Sequence, residues 1–342
     1  MTDDDAPADA VHGAEPVAHA DVRAGMTVGD LAEQYGAAGA GAADLHRAVE
    51  ITAEMFGGED VSTFLGLAGA MVPLGMRRIV ADLIRDGYVE ALVTTGANLT
   101  HDTIEAIGGH HHHGSAGPDD HRSEERIESD RREHDESLRA AGVDRIYNVY
   151  LPQQHFTTFE HHLRDEVFPA VDRTVSIAEL TRELGAANAR VNEAADVEAD
   201  AGIAAAAYEH DVPIYCPAIQ DSVLGIQAWM RSQVTDFSLD ALADMTDLND
   251  LAHESASAGA LVVGGGVPKN YVLQTMLVTP TAYDYGVQLT MDAEHTGGLS
   301  GATLDEARSW GKLEPTARNV TVVGDATITF PLLVAAARER IE

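Results

Sequence analysis

Three residues in "DEARSWGK" (305–312) have types and spacing that could do covalent chemistry: Glu306, Trp310 and Lys312. An aromatic wall beside a lysine lowers the local dielectric and favours the neutral amine. A neutral lysine is a nucleophile toward imines and carbonyls. Glu306, in the same stretch, could hold a cationic amine. The competing reading is an ordinary surface lysine that follows Gly311, a helix-capping glycine. Composition favours the chemical reading. The 22 basic residues comprise two lysines, Lys269 and Lys312, and twenty arginines. A lysine retained against that depletion has a role that arginine cannot fill.

Other stretches could build a binding site beside this one. "LVVGGGVPKNYV" follows a strand pattern and opens a helix pattern. Its glycines, Gly265 among them, would let backbone approach a phosphate closely, with helix N–H groups exposed. It is not the G-x-G-x-x-G fingerprint, because the last position is Lys269, and a plain strand-to-helix turn explains it equally well. Asp325 in "VVGDAT" stands at the end of a late strand. It suits either ribose hydroxyls or the cap of a helix beginning near Phe330. Four consecutive histidines, His110 to His113, cannot all point one way, and zinc ligands are usually spaced. "GGHHHHG" therefore reads as a solvated loop, and no metal is expected. The single cysteine, Cys216, excludes an intramolecular disulfide and reads as a small buried apolar residue.

The elements that must position these residues follow from pattern. Residues 1–20 are acidic, Ala/Pro-rich and aperiodic, which predicts a mobile tail. Residues 21–342 read as a single α/β domain with a charged surface excursion at about 108–142. Short apolar runs at 90–98, 145–152, 212–219, 259–266, 285–290 and 319–327 read as strands. Helical patterns such as "IAELTRELGAAN" and "FPLLVAAARERIE" lie between them. Alternating strand and helix predicts a parallel sheet with helices on both faces. Ligands in such sheets bind beyond the carboxyl ends of the strands. There "TTGAN", "PAIQD", "GGGVPK" and "GDAT" would gather.

Fifty-six acidic residues against 22 basic ones give a formal net charge of −34. That field repels polyanions, so neither nucleic acid nor an anionic membrane is an expected partner. The composition fits work in near-saturated salt, where the Debye length is about 3 Å or less and self-repulsion is screened. Most carboxylates then belong to a solvated surface, and a lone acid is weak evidence of chemistry. No apolar run of about 18 residues and no basic, apolar leader is present, which predicts a soluble cytoplasmic protein.

"SGATLDEARSWGKLEPTARNVTVVGDATITFPLLVAA" closely resembles the C-terminal segment of deoxyhypusine synthases. The likeness runs upstream through "GALVVGGGVPK", "PIYCPAIQDSVLG", "VDRIYNVYLP", "ALVTTGAN" and "STFLGLAGAMVPLG", roughly residues 55 to 340. The resemblance implies a Rossmann-like homotetramer with NAD bound near subunit interfaces. It implies that NAD oxidises a polyamine, normally spermidine, to an imine. Lys312 then takes up the aminobutyl group and passes it to one lysine of the hypusine-containing translation initiation factor. Carried over by motif, Lys312 is the nucleophile, and Glu306, Trp310 and Gly297 belong to the amine site. Thr95, Gly96, Asp221, Gly265, Asp325 and Ala326 belong to the NAD site. A homospermidine synthase-like enzyme acting on free polyamines is the alternative.

The sequence also departs from the family pattern. Thr100 and His101 in "TGANLTHD", Ile226 in "QDSVLGI" and Leu299 in "TGGLSG" replace family acids, and Asn270 replaces a frequent histidine. Acids missing from so acidic a chain imply an altered amine, with agmatine as one candidate.

Overall fold

A computed structural model of the chain describes residues 16–114, 124–195 and 202–342. The strands are β1 Val61–Leu67, β2 Ala91–Thr94, β3 His112–His113, β4 Val143–Ile146, β5 Val149–Pro152, β6 Thr174–Ser176, β7 Ile214–Tyr215, β8 Ser238–Asp240, β9 Ser257–Val263, β10 Tyr283–Thr290 and β11 Leu313–Val323. The first helices are α1 Val28–Gly36, α2 Gly41–Gly57, α3 Arg77–Arg85, α4 Gly96–Ala106, α5 Glu124–Ala140 and α6 Gln154–His162. Then come α7 Ile177–Ala195, α8 Gly202–Glu209, α9 Val223–Ser232, α10 Ala241–Glu254, α11 Gly266–Thr275, α12 Leu304–Ser309 and α13 Ala326–Ile341.

Six strands form one parallel sheet in the order β11-β10-β9-β1-β2-β7. The two-residue period of a strand sends alternate side chains to opposite faces. Leu65, Leu67, Leu92 and Leu261 join the core beneath α2 and α13, while Phe64, Val93 and Ala260 join a second core that includes Val272 and Leu273 of α11. Helices therefore cover both faces, as the alternation of elements implies.

The chain leaves β1 in one direction toward β2 and β7. It returns on the other side of β1 to build β9, β10 and β11. The strand order thus reverses between β1 and β9. A crevice must open where the crossovers diverge, at the carboxyl ends of these two strands.

Several expectations need correction. Residues 145–152 are not a strand of the main sheet. Tyr147 takes a positive φ of 53°, and the chain folds into the antiparallel hairpin β4–β5, which joins β3 in a separate sheet. β1, the strand beside the switch point, is absent from the sequence-based strand assignment. The last helix starts at Ala326, before Phe330, because Asp325 caps it there and Pro331 is tolerated inside. The histidine run is not simply solvated. His112 and His113 pair with β5, and the His111 side chain is almost buried. Most of the predicted N-terminal tail and residues 115–123 of the excursion lie outside the described residues, whereas its charged second half forms α5.

Candidate active site

A cleft of about 820 Å³ lies at the switch point. Its walls are the segments that follow the strands: Ala68–Met71 after β1, Thr95 after β2, Gly264–Pro268 after β9, Thr290–Asp292 after β10 and Asp325–Thr327 after β11. Asp221 closes one side, and Tyr147 and Asn148 of the β4–β5 turn close another. Five of the six residues assigned to the cofactor therefore meet here: Thr95, Asp221, Gly265, Asp325 and Ala326. Gly96 stands behind the cleft, where an added Cβ would strike Ser222. It lets the start of α4 close on the Ile219–Ser222 loop.

Three helix N-termini point toward this cleft. Thr95 caps α4 through Asn98 N, and Asp325 caps α13 by accepting from Thr327 N at 2.8 Å. Asp325 is therefore the helix cap, and it also lines the cleft. The N-cap of α11 is Gly265, which offers no side-chain acceptor. Its first N–H groups are left for an anion, with the helix dipole behind them.

Lys312 faces a second, smaller cavity of about 280 Å³. Its position follows from a helix-stop motif. Gly311 adopts φ +71°, Gly311 N–H donates to Arg308 O at 3.0 Å, and Lys312 N–H donates to Ala307 O at 3.1 Å. That Schellman geometry ends α12 and turns Lys312 into the cavity. The capping glycine and the placing of Lys312 are thus one feature. Lys312 Nζ lies 5.8 Å from the centre of the Trp310 ring. Burial lowers the Lys312 pKa, and the carboxylate of Glu306 partly offsets this. Trp310 itself is 64% exposed, so the slot opens at the surface of the chain.

The rest of the slot is mostly neutral. Asn270, Gln274 and Thr303 supply amide and hydroxyl groups; Leu273, Leu277 and Leu299 supply apolar wall. Lys269 also lines it. Glu306 is its only carboxylate among the described residues.

The short helix α12 is tied down behind its last turn by Arg308. That guanidinium donates to Glu314 O at 3.0 Å, Pro315 O at 2.7 Å and Ala317 O at 2.6 Å, and also to Asn319. The sequence pattern does not mark Arg308, and the only signal for Lys269 is its rarity.

The departures from the family pattern separate in space. Leu299 and Asn270 line the slot. Thr100 does not. Its hydroxyl is buried, donating to Gly96 O at 2.8 Å and accepting from Leu224 N at 3.2 Å. His101 packs against His111, with 3.0 Å between Nδ1 and Nε2, and lines neither cavity. Ile226 is exposed on α9. Gly297, at φ +69°, ends an exposed turn and lines neither cavity. Within one chain, only two of the five substitutions can touch an amine in the slot.

The family model for deoxyhypusine synthase matches residues 30–337. A probable deoxyhypusine synthase from Methanosarcina thermophila is 48% identical over 95% of this chain and 95% of its own length. One from Methanothermobacter thermautotrophicus is 40% identical over 94% of this chain and 97% of its own. The crystal structure of a candidate deoxyhypusine synthase from Entamoeba histolytica shares the fold, with a TM-score of 0.61 at 15% identity over 95% of this chain and 98% of that one. With the motif around Lys312 in place and relatives alike from end to end, the chain belongs to the deoxyhypusine synthase family.

Proposed function

We propose that the protein transfers an aminobutyl-type group from a polyamine to one lysine of the hypusine-containing translation initiation factor, through an imine on Lys312 and with NAD as cofactor. One observation carries this reading. A lysine with lowered proton affinity sits in a slot with Trp310 and Glu306, beside a dinucleotide-sized cleft at the sheet's switch point.

The cleft fits NAD on its own chemistry. The uncapped start of α11 suits a pyrophosphate. Asp221 and Asp325 can accept from ribose hydroxyls. The volume lies in the range of about 300–1,000 Å³ usual for ligand sites. Bound there, NAD would supply the two-electron acceptor that turns the amine into an imine and, once reduced, the hydride that converts the factor-bound imine into the amine product, so the electrons balance.

The residues of the chain do the transfer. Glu306 attracts the cationic amine into the slot. Neutral Lys312 adds to the imine carbon; its nitrogen gains a C–N bond, and the original C–N bond breaks. The proton lost by Lys312 leaves on the departing group, a diamine from spermidine or guanidine from agmatine, and Glu306 is the slot's carboxylate able to relay it. The factor's lysine repeats the exchange and frees Lys312. A guanidinium stays protonated and cannot enter this sequence.

A slot with one carboxylate, two amides and three leucines supports an amine other than spermidine, with agmatine as the candidate. The family resemblance supports a homotetramer in which neighbouring chains complete each site.

The test is incubation of labelled amine, NAD and the factor in molar salt. Label should reach one lysine of the factor with the native protein and none with Lys312→Arg, while NAD binding survives the substitution. Label passing only to free polyamine would replace this reading with the homospermidine synthase-like one.

A further inference from the structure

Lys269 has no part in the transfer just described, yet only 1% of it is exposed. Its ammonium donates to Leu299 O at 3.0 Å and to Ala302 O. Burying an ammonium is costly unless hydrogen bonds compensate, and burial lowers the Lys269 pKa to about 8. What the two carbonyls have in common is their place. They bracket the turn directly before Thr303, the N-cap of α12, and Thr303 makes no side-chain cap bond. From the opposite side, Gln288 of β10 donates to Ser300 O at 2.9 Å and Gly264 O at 3.3 Å. Two buried side chains thus hold the carbonyls of Leu299, Ser300 and Ala302. Six residues are too few for a helix to hold itself, since helices below about 12 residues are marginal alone. Arg308 fixes the far end of α12; Lys269 and Gln288 fix its approach.

We propose that Lys269 is a positioning residue. By tying the Leu299–Ala302 turn to α11, it fixes the start of α12 and hence the placing of Glu306 and Lys312 in the slot. This rests on the reading of Lys312 as the covalent residue. A second effect follows from charge. The titratable groups lining the slot are Lys269 from α11, Glu306 from α12 and Lys312 just after it. The repulsion from Lys312 falls on Lys269, which, with a pKa of about 8, loses its charge first, so the tie weakens as pH rises through about 8.

Lys269→Met keeps the length and removes both the donors and the charge. Two quantities are measured in molar salt: NAD affinity, and the single-turnover rate of borohydride-trapped adduct at Lys312 as a function of pH. NAD affinity should stay near native. The trapping rate should fall by on the order of 10²-fold, the effect of a misplacement of about 1 Å. The step near pH 8 in the native profile, where Lys269 loses its charge, should be absent from the variant, which a role confined to fold stability would not cause. Trapping at the native rate with the step near pH 8 retained overturns the assignment. If Lys269→Met does not fold, Lys269→Leu, which removes the same donors with a shorter, stiffer side chain, is measured in its place. Slowed trapping with intact NAD binding there supports the tie, and native trapping overturns it. Native protein that transfers label yet shows no adduct at Lys312 refutes the covalent reading, a result distinct from either outcome.

Discussion

Acidification should destabilise this protein through His101. The imidazole lies between His111, 3.0 Å away, and the ring of Phe156, whose centroid is at 6.3 Å. Burial and the neighbouring His111 lower its pKa from 6.5 to about 4, with Glu105 pulling weakly the other way. Between these values the unfolded chain takes up a proton that the folded chain declines. Stability is therefore complete above pH 6.5 and is lost as pH falls toward 4. At about 1.4 kcal/mol per pH unit, the loss reaches roughly 3 kcal/mol at pH 4. The assay is denaturant unfolding of native protein and His101→Gln from pH 7 to pH 4 at one molar salt concentration. His155, His162 and the acidic surface titrate in both proteins and cancel in the difference. Native protein should lose about 3 kcal/mol more than the variant. Curves parallel within about 0.5 kcal/mol, the usual error of additivity, would refute the reasoning. His101 lies on α4, whose N-cap Thr95 lines the cleft, so NAD affinity should weaken over the same pH window.

Arg308→Lys keeps the charge but loses the fork that spans three carbonyls; single-turnover transfer should slow roughly tenfold to a hundredfold while NAD affinity holds. Leu299→Asp returns a carboxylate to the slot, and a charge-assisted bond of about 1.5–3 kcal/mol should raise kcat/KM for spermidine relative to agmatine by roughly tenfold to a hundredfold. An unchanged ratio would mean that Leu299 does not set amine choice. Light scattering across a salt series should show a tetramer in molar salt that loses mass near 0.1 M, where the Debye length is about 10 Å. Reassembling Lys312→Ala with Asp325→Ala should restore transfer, because an intact slot then meets an intact cleft from another chain; no recovery would place the whole site within one chain.

Where the cleft lies was legible in the sequence, because strand ends rich in Gly, Asp and Thr must converge at the carboxyl edge of a parallel sheet. Lys312 was legible for a different reason: its rarity and its neighbours Glu306 and Trp310 do not depend on tertiary contacts. The β4–β5 hairpin was hidden, because "RIYNVYLP" has the apolar content of a buried strand and only the left-handed turn at Tyr147 reveals otherwise. Substituted positions were misleading for a related reason. Thr100 and His101 occupy faces of α4 that look away from the slot, and the direction of a side chain is set by helix rotation, which pattern leaves open. Lys269 was conspicuous as a type, but its burial depends on carbonyls some thirty residues later in the chain.

The most direct test of the central claim is the site of the covalent adduct. Native protein is incubated with the amine donor and NAD in molar salt, reduced with borohydride, digested and mapped by mass spectrometry. The expected result is one adduct, on Lys312, absent when NAD is withheld. Label on Lys269 instead, or transfer to the factor with no adduct on either lysine, would contradict the account.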